Sequence, residues 1–419
     1  MAAPAYGLPV NAASPSLQPV AAGDRIAVLD ILRAVALIGI LLMNMEAFSG
    51  PLDLSFTGID PHWQGLDYAA DALVYVLVQG KFFTLFSLLF GAGFSIMAQR
   101  AEAARRDFTP FYLRRSAALL LIGLCHALLV WSGDILMIYA LMSLPLLACR
   151  EAPTRWLPAM GVMVYLGAAV LMLLLGAMMG LAAQVEVGNA QLRDTLVQAQ
   201  QVIEQQRQAY GHGSYAQAVL QRLHDLGAAS TAIVVVGPEV LGMFLIGSWF
   251  GRSGALAHPE RFERLYRRLR WIALPLGLAL MLGSAAWVPY VAPGTFTPVS
   301  GAAFALSSIA SLLMCLGYLA WTVHARQRLQ WLAPMGQMAL THYIGQSLVC
   351  TLVFYGYGLG AFEQLPRAWQ LAFALVLCAL QLAISHAWLR VFRFGPLEWW
   401  WRAMTYGQWP PLRRRPVQG

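Results

Sequence analysis

The chain has 419 residues, of which 59% are hydrophobic and only 11% are charged, and its formal net charge at pH 7 is +8. About a quarter of the residues of a water-soluble globular domain are charged, so this composition excludes a soluble protein. A positive net charge is typical of nucleic-acid-binding proteins and also of membrane proteins whose helices are flanked by basic residues. The arginine distribution described below favours the membrane, and we expect no nucleic-acid partner.

Apolar runs of about twenty residues must be helical in lipid, because the backbone polar groups find no water there. The sequence therefore predicts an all-α, polytopic helical bundle in the lipid bilayer, with about ten spans. The predicted spans are 31–48, 69–97, 116–131, 135–148, 156–183, 231–250, 271–291, 301–323, 333–360 and 369–391. We expect residues 1–24 to form a disordered tail rather than a signal peptide, and 407–419 a basic tail.

Arginines mark one side of the predicted membrane. The arginine-rich connections and termini hold 23 of the 27 arginines, and the opposite side holds Arg193, Arg207, Arg222 and Arg367. The positive-inside rule then places both termini in the cytoplasm and supports an even number of spans.

The one long extracytoplasmic segment, 184–230, divides an N-terminal half, 25–183, from a C-terminal half, 231–406. It is rich in Gln and Ala, and its apolar residues recur at helical spacings, which predicts amphipathic helices over the outer face. The segment is either a substrate lid or a solvated connector that packs on the bundle, and the composition favours the connector.

Placing an ionisable or polar side chain inside a membrane span costs free energy, so such residues are candidates for function. Asp30 and Arg33 share one face of the first helix, where an ion pair would lower their cost. Asn44 follows Arg33 by about 16 Å along the same helix. Lys81, the only lysine, falls near mid-membrane and either pairs with a buried carboxylate or faces a wet cavity that admits an anion.

Two histidines are candidate bases. His126 belongs to the outer half of the third span, close to Asp134 in the turn that follows. A histidine oriented by a carboxylate is the usual arrangement for activating a hydroxyl or an amine, although a histidine that only bonds a neighbouring helix fits the sequence nearly as well. His62, in the first outer loop, is the competing base, and its alternative role is that of an interface anchor beside Trp63.

Motifs in the N-terminal half strongly resemble the YeiB family of bacterial inner-membrane proteins. They are Arg25 with Leu29-Asp30, Leu32-Arg33 and Asn44; Lys81-Phe82 with Leu88-Leu89-Phe90-Gly91-Ala92-Gly93; and His126 with Gly133-Asp134-Ile135-Leu136.

The C-terminal half resembles that family's domain of unknown function. Its motifs are Gly336-Gln337-Met338-Ala339-Leu340-Thr341-His342-Tyr343 with Gln346-Ser347, and Gly395-Pro396-Leu397-Glu398-Trp399 with Arg402. From this resemblance we expect Thr341, His342, Gln346, Ser347, Glu398 and Arg402 to bind substrate or donor. Members of that family often have asparagine at the position of His342, so His126 is the better candidate base.

The N-terminal half is also similar to a larger group of transmembrane acyltransferases, including the lysosomal enzyme that acetylates terminal glucosamine of heparan sulfate. In the bacterial O-acyltransferase branch the base stands eleven residues after the first-helix arginine, where this chain has Asn44. The glucosaminide branch takes its histidine from the following loop, ahead of a Trp-x-Gly sequence, which His62-Trp63-Gln64-Gly65 resembles.

This resemblance implies transfer of an acyl group from a cytoplasmic donor such as acyl-CoA to a hydroxyl or amine of an extracytoplasmic or lipid-linked glycan. Arg25, Arg33 and Arg115 would then bind the phosphates of the donor. The alternatives are a carrier or flippase for an anionic amphipathic solute, in which Lys81 binds the charge, and a structural membrane protein. We expect no bound cofactor and no metal, and the sequence leaves the oligomeric state open.

Overall fold

The computed structural model describes residues 27–414, with 228–232 as backbone only. Both the predicted N-terminal tail and Arg25 lie outside the described residues, as does the end of the C-terminal tail. The secondary structure of the described chain is helical apart from two isolated β-bridges, Gly58 with Tyr290 and Phe392 with Arg413. The α-helices are α1 Ala27–Ser49, α2 Gly65–Leu77, α3 Lys81–Ala103, α4 Phe108–Leu129, α5 Leu136–Ala148, α6 Leu157–Ala182, α7 Glu186–Gln206, α8 Tyr215–Arg252, α9 Glu263–Arg268, α10 Leu274–Trp287, α11 Pro298–His324, α12 Ala333–Gln337, α13 Ala339–Phe354, α14 Arg367–Val391 and α15 Pro396–Tyr406.

Eight helical segments of the described chain are long and apolar enough to cross a membrane. They are Ala27–Ser49, Gly65–Ala103, Phe108–Leu129, Thr154–Ala182, Ile233–Arg252, Pro259–Trp287, Pro298–His324 and Arg367–Val391. The two remaining predicted spans also contain helices, α5 with 13 residues and α13 with 16. At 1.5 Å per residue these two are shorter than a hydrocarbon core of about 30 Å. The chain is therefore a multi-pass, all-α membrane protein.

Two predicted spans are interrupted. The second breaks between α2 and α3, where Gly80 caps α3 with a φ of 82°, a left-handed conformation that glycine adopts without strain. The ninth breaks at Met338, between α12 and α13. Hydropathy is averaged over a stretch of many residues. It therefore does not detect the one to three residues at which one helix ends and the next begins.

The centre of the bundle is α1. In its apolar stretch 78% of the residues are buried, compared with 28% in the apolar stretches of α6 and α14. Large apolar side chains on α6 and α14, such as Met163, Leu174, Val376 and Leu380, are exposed. In water such surfaces would favour aggregation, but in a bilayer they face lipid tails.

The predicted outer segment is helical, and its second helix has no break before the following span. After α7, a π-helical stretch, Arg207–His212, turns the chain. The next helix, α8, then runs for 38 residues from this segment into the sixth span. The predicted boundary near residue 230 is therefore not a break in the helix.

Candidate functional site

A buried histidine and carboxylate face each other where α4 ends and α5 begins. His126 Nδ1 lies 2.8 Å from Asp134 Oδ1, and the two side chains are each 1% exposed. The pair is local in sequence, and the structure brings the two residues together as the sequence predicted. His126 also sits in the last turn of α4.

Close contact between α4 and α5 fixes the carboxylate. A Cβ atom at Gly123, one turn before His126, would lie 2.8 Å from the Met137 amide nitrogen and 3.0 Å from Asp134 Oδ2. Asp134 Oδ2 also accepts the Met137 amide at 2.8 Å. Because glycine permits this approach and the first turn of α5 holds one carboxylate oxygen, the other oxygen points at His126.

The second ring nitrogen of His126 has no hydrogen-bond partner in the part of the chain that the structure describes. With the Nδ1 hydrogen donated to Asp134, Nε2 carries a lone pair, and it is buried without a hydrogen bond among the described residues. The Tyr343 ring centroid lies 5.2 Å from that of the imidazole. Trp131, whose ring is 6.4 Å away, also has an unpartnered buried Nε1. A lone pair held by an oriented, neutral imidazole can accept a proton from a hydroxyl or an amine.

The outer segment binds directly to the turn between α4 and α5. The Leu129 carbonyl accepts the Tyr215 hydroxyl at 2.8 Å and Arg222 Nη1 at 3.1 Å. The Ser132 hydroxyl donates to Asp225 Oδ2 at 3.1 Å. Leu129 and Ser132 lie three and six positions after His126, so the start of α8 is hydrogen-bonded to the stretch of chain that links His126 to Asp134.

Asp225 is the centre of this contact, which we call the outer latch and define as Asp225, Tyr210, Ser132, Gln206 and Gln221. Besides Ser132, Asp225 accepts the Tyr210 hydroxyl at 2.5 Å and the amides of Gln206 at 3.2 Å and Gln221 at 2.9 Å. Burial raises the pKa of Tyr210 far above its ordinary value. Tyr210 therefore keeps its proton and donates a hydrogen bond to the Asp225 carboxylate.

Arg222 lies beside the outer latch, fully buried. Its guanidinium carbon is 5.7 to 5.9 Å from four tyrosine ring centroids, those of Tyr210, Tyr215, Tyr355 and Tyr357. Nη2 donates to the Tyr357 hydroxyl at 3.0 Å, and Nε has no partner among the described residues. Cation–π contacts and two neutral acceptors therefore hold a buried charge that would be costly alone.

Lys81 is buried at the start of α3, where its ammonium donates to the Tyr75 carbonyl at 2.9 Å. Within residues 27–414 it forms no ion pair. The buried Glu239 of α8, a carboxylate that could have been such a partner, instead accepts the Ser308 hydroxyl at 2.9 Å.

Arg33 and Arg402, two of the predicted donor-binding residues, lie within electrostatic range of a third, Arg115, near the arginine-rich end of the bundle. Arg33 pairs with Asp30 at 2.8 Å, as expected. The Arg115 guanidinium stacks 3.6 Å from the Trp401 ring centroid, and its buried Nε lacks a partner in the described chain. The charges of Arg33 and Arg402 both act on Arg115. Asn44 is buried further along α1.

The remaining predicted residues of the C-terminal half join helices to one another. Glu398 of α15 accepts the amides of Leu340 and Thr341 at 2.6 and 3.0 Å and the Thr341 hydroxyl at 2.5 Å. It thereby satisfies orphan amides at the start of α13. Burial nevertheless raises the pKa of Glu398.

Further along α13, His342 lies 2.5 Å from the Ser385 hydroxyl, and Gln346 donates to Gln381 at 2.9 Å. Both partners belong to α14. Ser347 donates to the Tyr343 carbonyl within α13 at 3.3 Å. These bonds satisfy polar groups between packed helices, a structural role that hydrogen bonds commonly have in membrane bundles.

His62, the competing base, also has a carboxylate partner. Its Nδ1 lies 2.7 Å from Asp60 Oδ1, but its side chain is 84% exposed. The two histidines therefore stand in opposite environments, one buried and one in solvent. Nearby, Asp71 pairs with the buried Arg367 at 2.8 Å, and Asp67 accepts the Ala368 amide at the start of α14.

Sequence reasoning missed Tyr343, Asp225, Tyr210 and Arg222 as parts of this region. Tyr343 lay inside a quoted motif, and Arg222 was one of only four arginines on the outer side, which was a usable signal. Asp225 and Tyr210 carried none. No group of three or more His, Cys, Asp or Glu side chains in the part of the chain that the structure describes is placed to hold a metal ion.

A multi-pass helical membrane protein with a buried histidine–carboxylate pair is the class that this fold and site define. Residues 250–408 match the family described as "Protein of unknown function (DUF418)". The chain is 36% identical to "Uncharacterized protein YxaH" of Bacillus subtilis, over 96% of this chain and 99% of that protein. It is 33% identical to "Uncharacterized protein YeiB" of Escherichia coli, over 91% and 96% of the two chains. The chain belongs to the YeiB-like family of multi-pass membrane proteins.

Proposed function

We propose that the protein is a membrane acyltransferase in which His126 is the general base and Asp134 orients it. The observation that carries the proposal is the buried pair at 2.8 Å with the opposite ring nitrogen unpartnered. A buried polar atom without a partner is rare and calls for an explanation. An acceptor hydroxyl that donates to Nε2 supplies one.

In the reaction, the acceptor oxygen or nitrogen attacks the thioester carbonyl of an acyl-CoA donor. The new C–O or C–N bond forms, the C–S bond breaks, and the proton of the acceptor passes through His126 Nε2 to the departing thiolate. Asp134 stays ionised and stabilises the imidazolium that forms.

Access to the pair requires two approaches. Arg115, with Arg33 and Arg402 nearby, offers guanidinium groups for the phosphates of a donor at the arginine-rich end. The acceptor, a glycan or lipid-linked glycan, comes from the other side, beneath the outer segment. The outer latch joins the segment to the turn beside the pair, and we therefore assign the segment the role of a lid.

The arginine distribution supports placing the protein in the inner membrane of a bacterium, with both termini cytoplasmic. In this orientation the donor site faces the pool of acyl-CoA, and the lid faces the periplasm.

Purified protein in nanodiscs with labelled acyl-CoA and a glycan acceptor tests the assignment. We expect His126→Ala to lower acyl transfer by roughly two to four orders of magnitude, while donor binding and folding persist. His62→Ala is the matched control, because His62 has the same kind of carboxylate partner but is exposed, and it should cost far less. If the losses are reversed, the loop histidine is the base. If neither change matters, the enzyme assignment fails.

A second candidate, a carrier for an anionic amphipathic solute, rests on the helix break beside Lys81. Discontinuous helices that place charged residues inside a bundle are typical of transporter binding sites. Lys81 lies at such a break with one backbone partner. On this reading wild-type protein leaves the acyl-CoA label intact, and binding of a fluorescent fatty-acid anion falls in Lys81→Met but not in Lys81→Arg. Intact binding in Lys81→Met would exclude it.

A further inference from the structure

Three arginines and two apolar side chains line a groove at the start of the helix that becomes α10. The groove has a volume of about 200 Å³, and its lining residues are Arg264, Arg267, Arg268, Trp271 and Ile272. It lies in the connection 252–270, which belongs to the arginine-rich side of the bundle and is remote in sequence from the His126 pair.

The arginines of this groove form no ion pairs with carboxylates in the described part of the chain. All three arginines are exposed, and within residues 27–414 none has a carboxylate within 4.0 Å. Glu260, an acidic side chain of the same connection, pairs with His258 at 3.5 Å instead. Three guanidinium groups within five positions repel one another, so an anion that bridges them would relieve this repulsion.

The apolar wall of the groove sits where the helix changes form. Residues Leu269–Ala273 are π-helical, and such bulges widen the helix and often occur at functional sites. Here the bulge turns Trp271 and Ile272 outward, with exposures of 63% and 60%. Trp271 packs edge-on against Trp321 with ring centroids 5.5 Å apart. Paired tryptophans beside arginines are typical of the level of the lipid headgroups.

We propose that this groove binds the phosphodiester headgroup of an anionic membrane phospholipid. The arginines contact the phosphate oxygens through charge-assisted bonds, which the fork of a guanidinium can form in pairs. Trp271 and Ile272 contact the first carbons of the acyl chains, an apolar wall that a free phosphate would leave unused. Arginines needed only for topology would not have to converge on one groove. The proposal does not depend on acyl transfer.

Native mass spectrometry of the full chain, titrated with cardiolipin, phosphatidylglycerol or phosphatidylethanolamine, tests the proposal. We expect the first two lipids to stay bound and the zwitterionic lipid to dissociate. Replacing Arg267 and Arg268 together by glutamine should weaken binding of the anionic lipids by roughly 30-fold, at about 1 kcal/mol for each charge removed. Glycerophosphoglycerol, which is the phosphodiester headgroup of phosphatidylglycerol without the acyl chains, should bind much more weakly than the lipid.

The matched control is Arg105→Gln with Arg106→Gln, which removes two exposed arginines of the same side that do not line the groove. It should leave lipid binding within about twofold of wild type. The proposal is overturned if both double variants lose lipid equally or if phosphatidylethanolamine binds as tightly as the anionic lipids. It is also overturned if glycerophosphoglycerol binds as tightly as the lipid, since the ligand would then be a free phosphate compound. Arg267→Lys with Arg268→Lys keeps the charge needed for topology, so an intermediate loss there excludes misfolding as the cause.

Discussion

Replacing Asp225 by asparagine should release the outer segment from the bundle while the spans remain folded. Asp225 accepts four hydrogen bonds, from Ser132, Gln206, Tyr210 and Gln221. Ser132 belongs to the turn beside the His126 pair, whereas the other three donors belong to the segment itself. The carboxylate therefore joins the segment to the turn that it covers.

The structure allows the size of the effect to be worked out. A hydrogen bond to a charged group contributes about 1.5–3 kcal/mol, and asparagine keeps one acceptor oxygen while its NH₂ group faces two donors. Losing two of the four bonds would thus cost about 3–6 kcal/mol. The cost is smaller for Gln206, because its amide also donates to Asp53 at 2.7 Å and keeps that hydrogen bond. We expect a net loss of about 3 kcal/mol, which is about a hundredfold increase in the open fraction.

Hydrogen exchange in nanodiscs measures this opening directly. Peptides from 203–227 should exchange about a hundredfold faster in Asp225→Asn, while peptides from α1 and α3 should not change. Glu204→Gln is the control: it removes the same charge from the same segment, but Glu204 is 53% exposed in its pair with Arg207, and such surface pairs contribute little. Unchanged exchange in Asp225→Asn, or equal effects in both variants, would show that the outer latch does not hold the segment.

Three further predictions concern other parts of the chain. Glu398→Ala should lower the thermal unfolding midpoint in detergent clearly more than Glu398→Gln, because alanine leaves the amides at the start of α13 without an acceptor, at about 2–4 kcal/mol; equal midpoints would contradict the capping role. Burial, and then the charge of Asp225, raises the pKa of Asp53, so the closed segment binds a proton that the open one releases. Its protection should therefore fall as pH rises from about 4 through the raised pKa, and a slope that persists in Asp53→Asn would refute this cause. Reporters inserted at Arg261 and Gln200 should report cytoplasm and periplasm, respectively, because 23 arginines lie on the predicted side of Arg261 and four on the side of Gln200. A cytoplasmic Gln200 would reverse the orientation.

Much of the fold follows from local sequence. Apolar length alone specified helices at all ten predicted positions, because a backbone in lipid has to satisfy its hydrogen bonds within its own segment. The pairs Asp30 with Arg33 and His126 with Asp134 were also predictable, since three residues along a helix, or a helix end and the turn after it, bring side chains together without reference to the rest of the fold. The helical spacing of 184–230 likewise predicted helices there.

Tertiary structure decided which distant polar groups meet. Arg367 pairs with Asp71, and Ser132 with Asp225, at separations of 296 and 93 positions. Neither partner carries a local signal. The sequence predicted either a buried carboxylate or a wet cavity beside Lys81, yet in the structure the buried Glu239 accepts the Ser308 hydroxyl and Lys81 donates to a backbone carbonyl. A buried polar side chain must find some acceptor or donor, but which one it finds depends on how neighbouring helices are rotated and staggered. Hydropathy specifies that a helix spans the membrane and leaves those two quantities to the packing of the whole bundle.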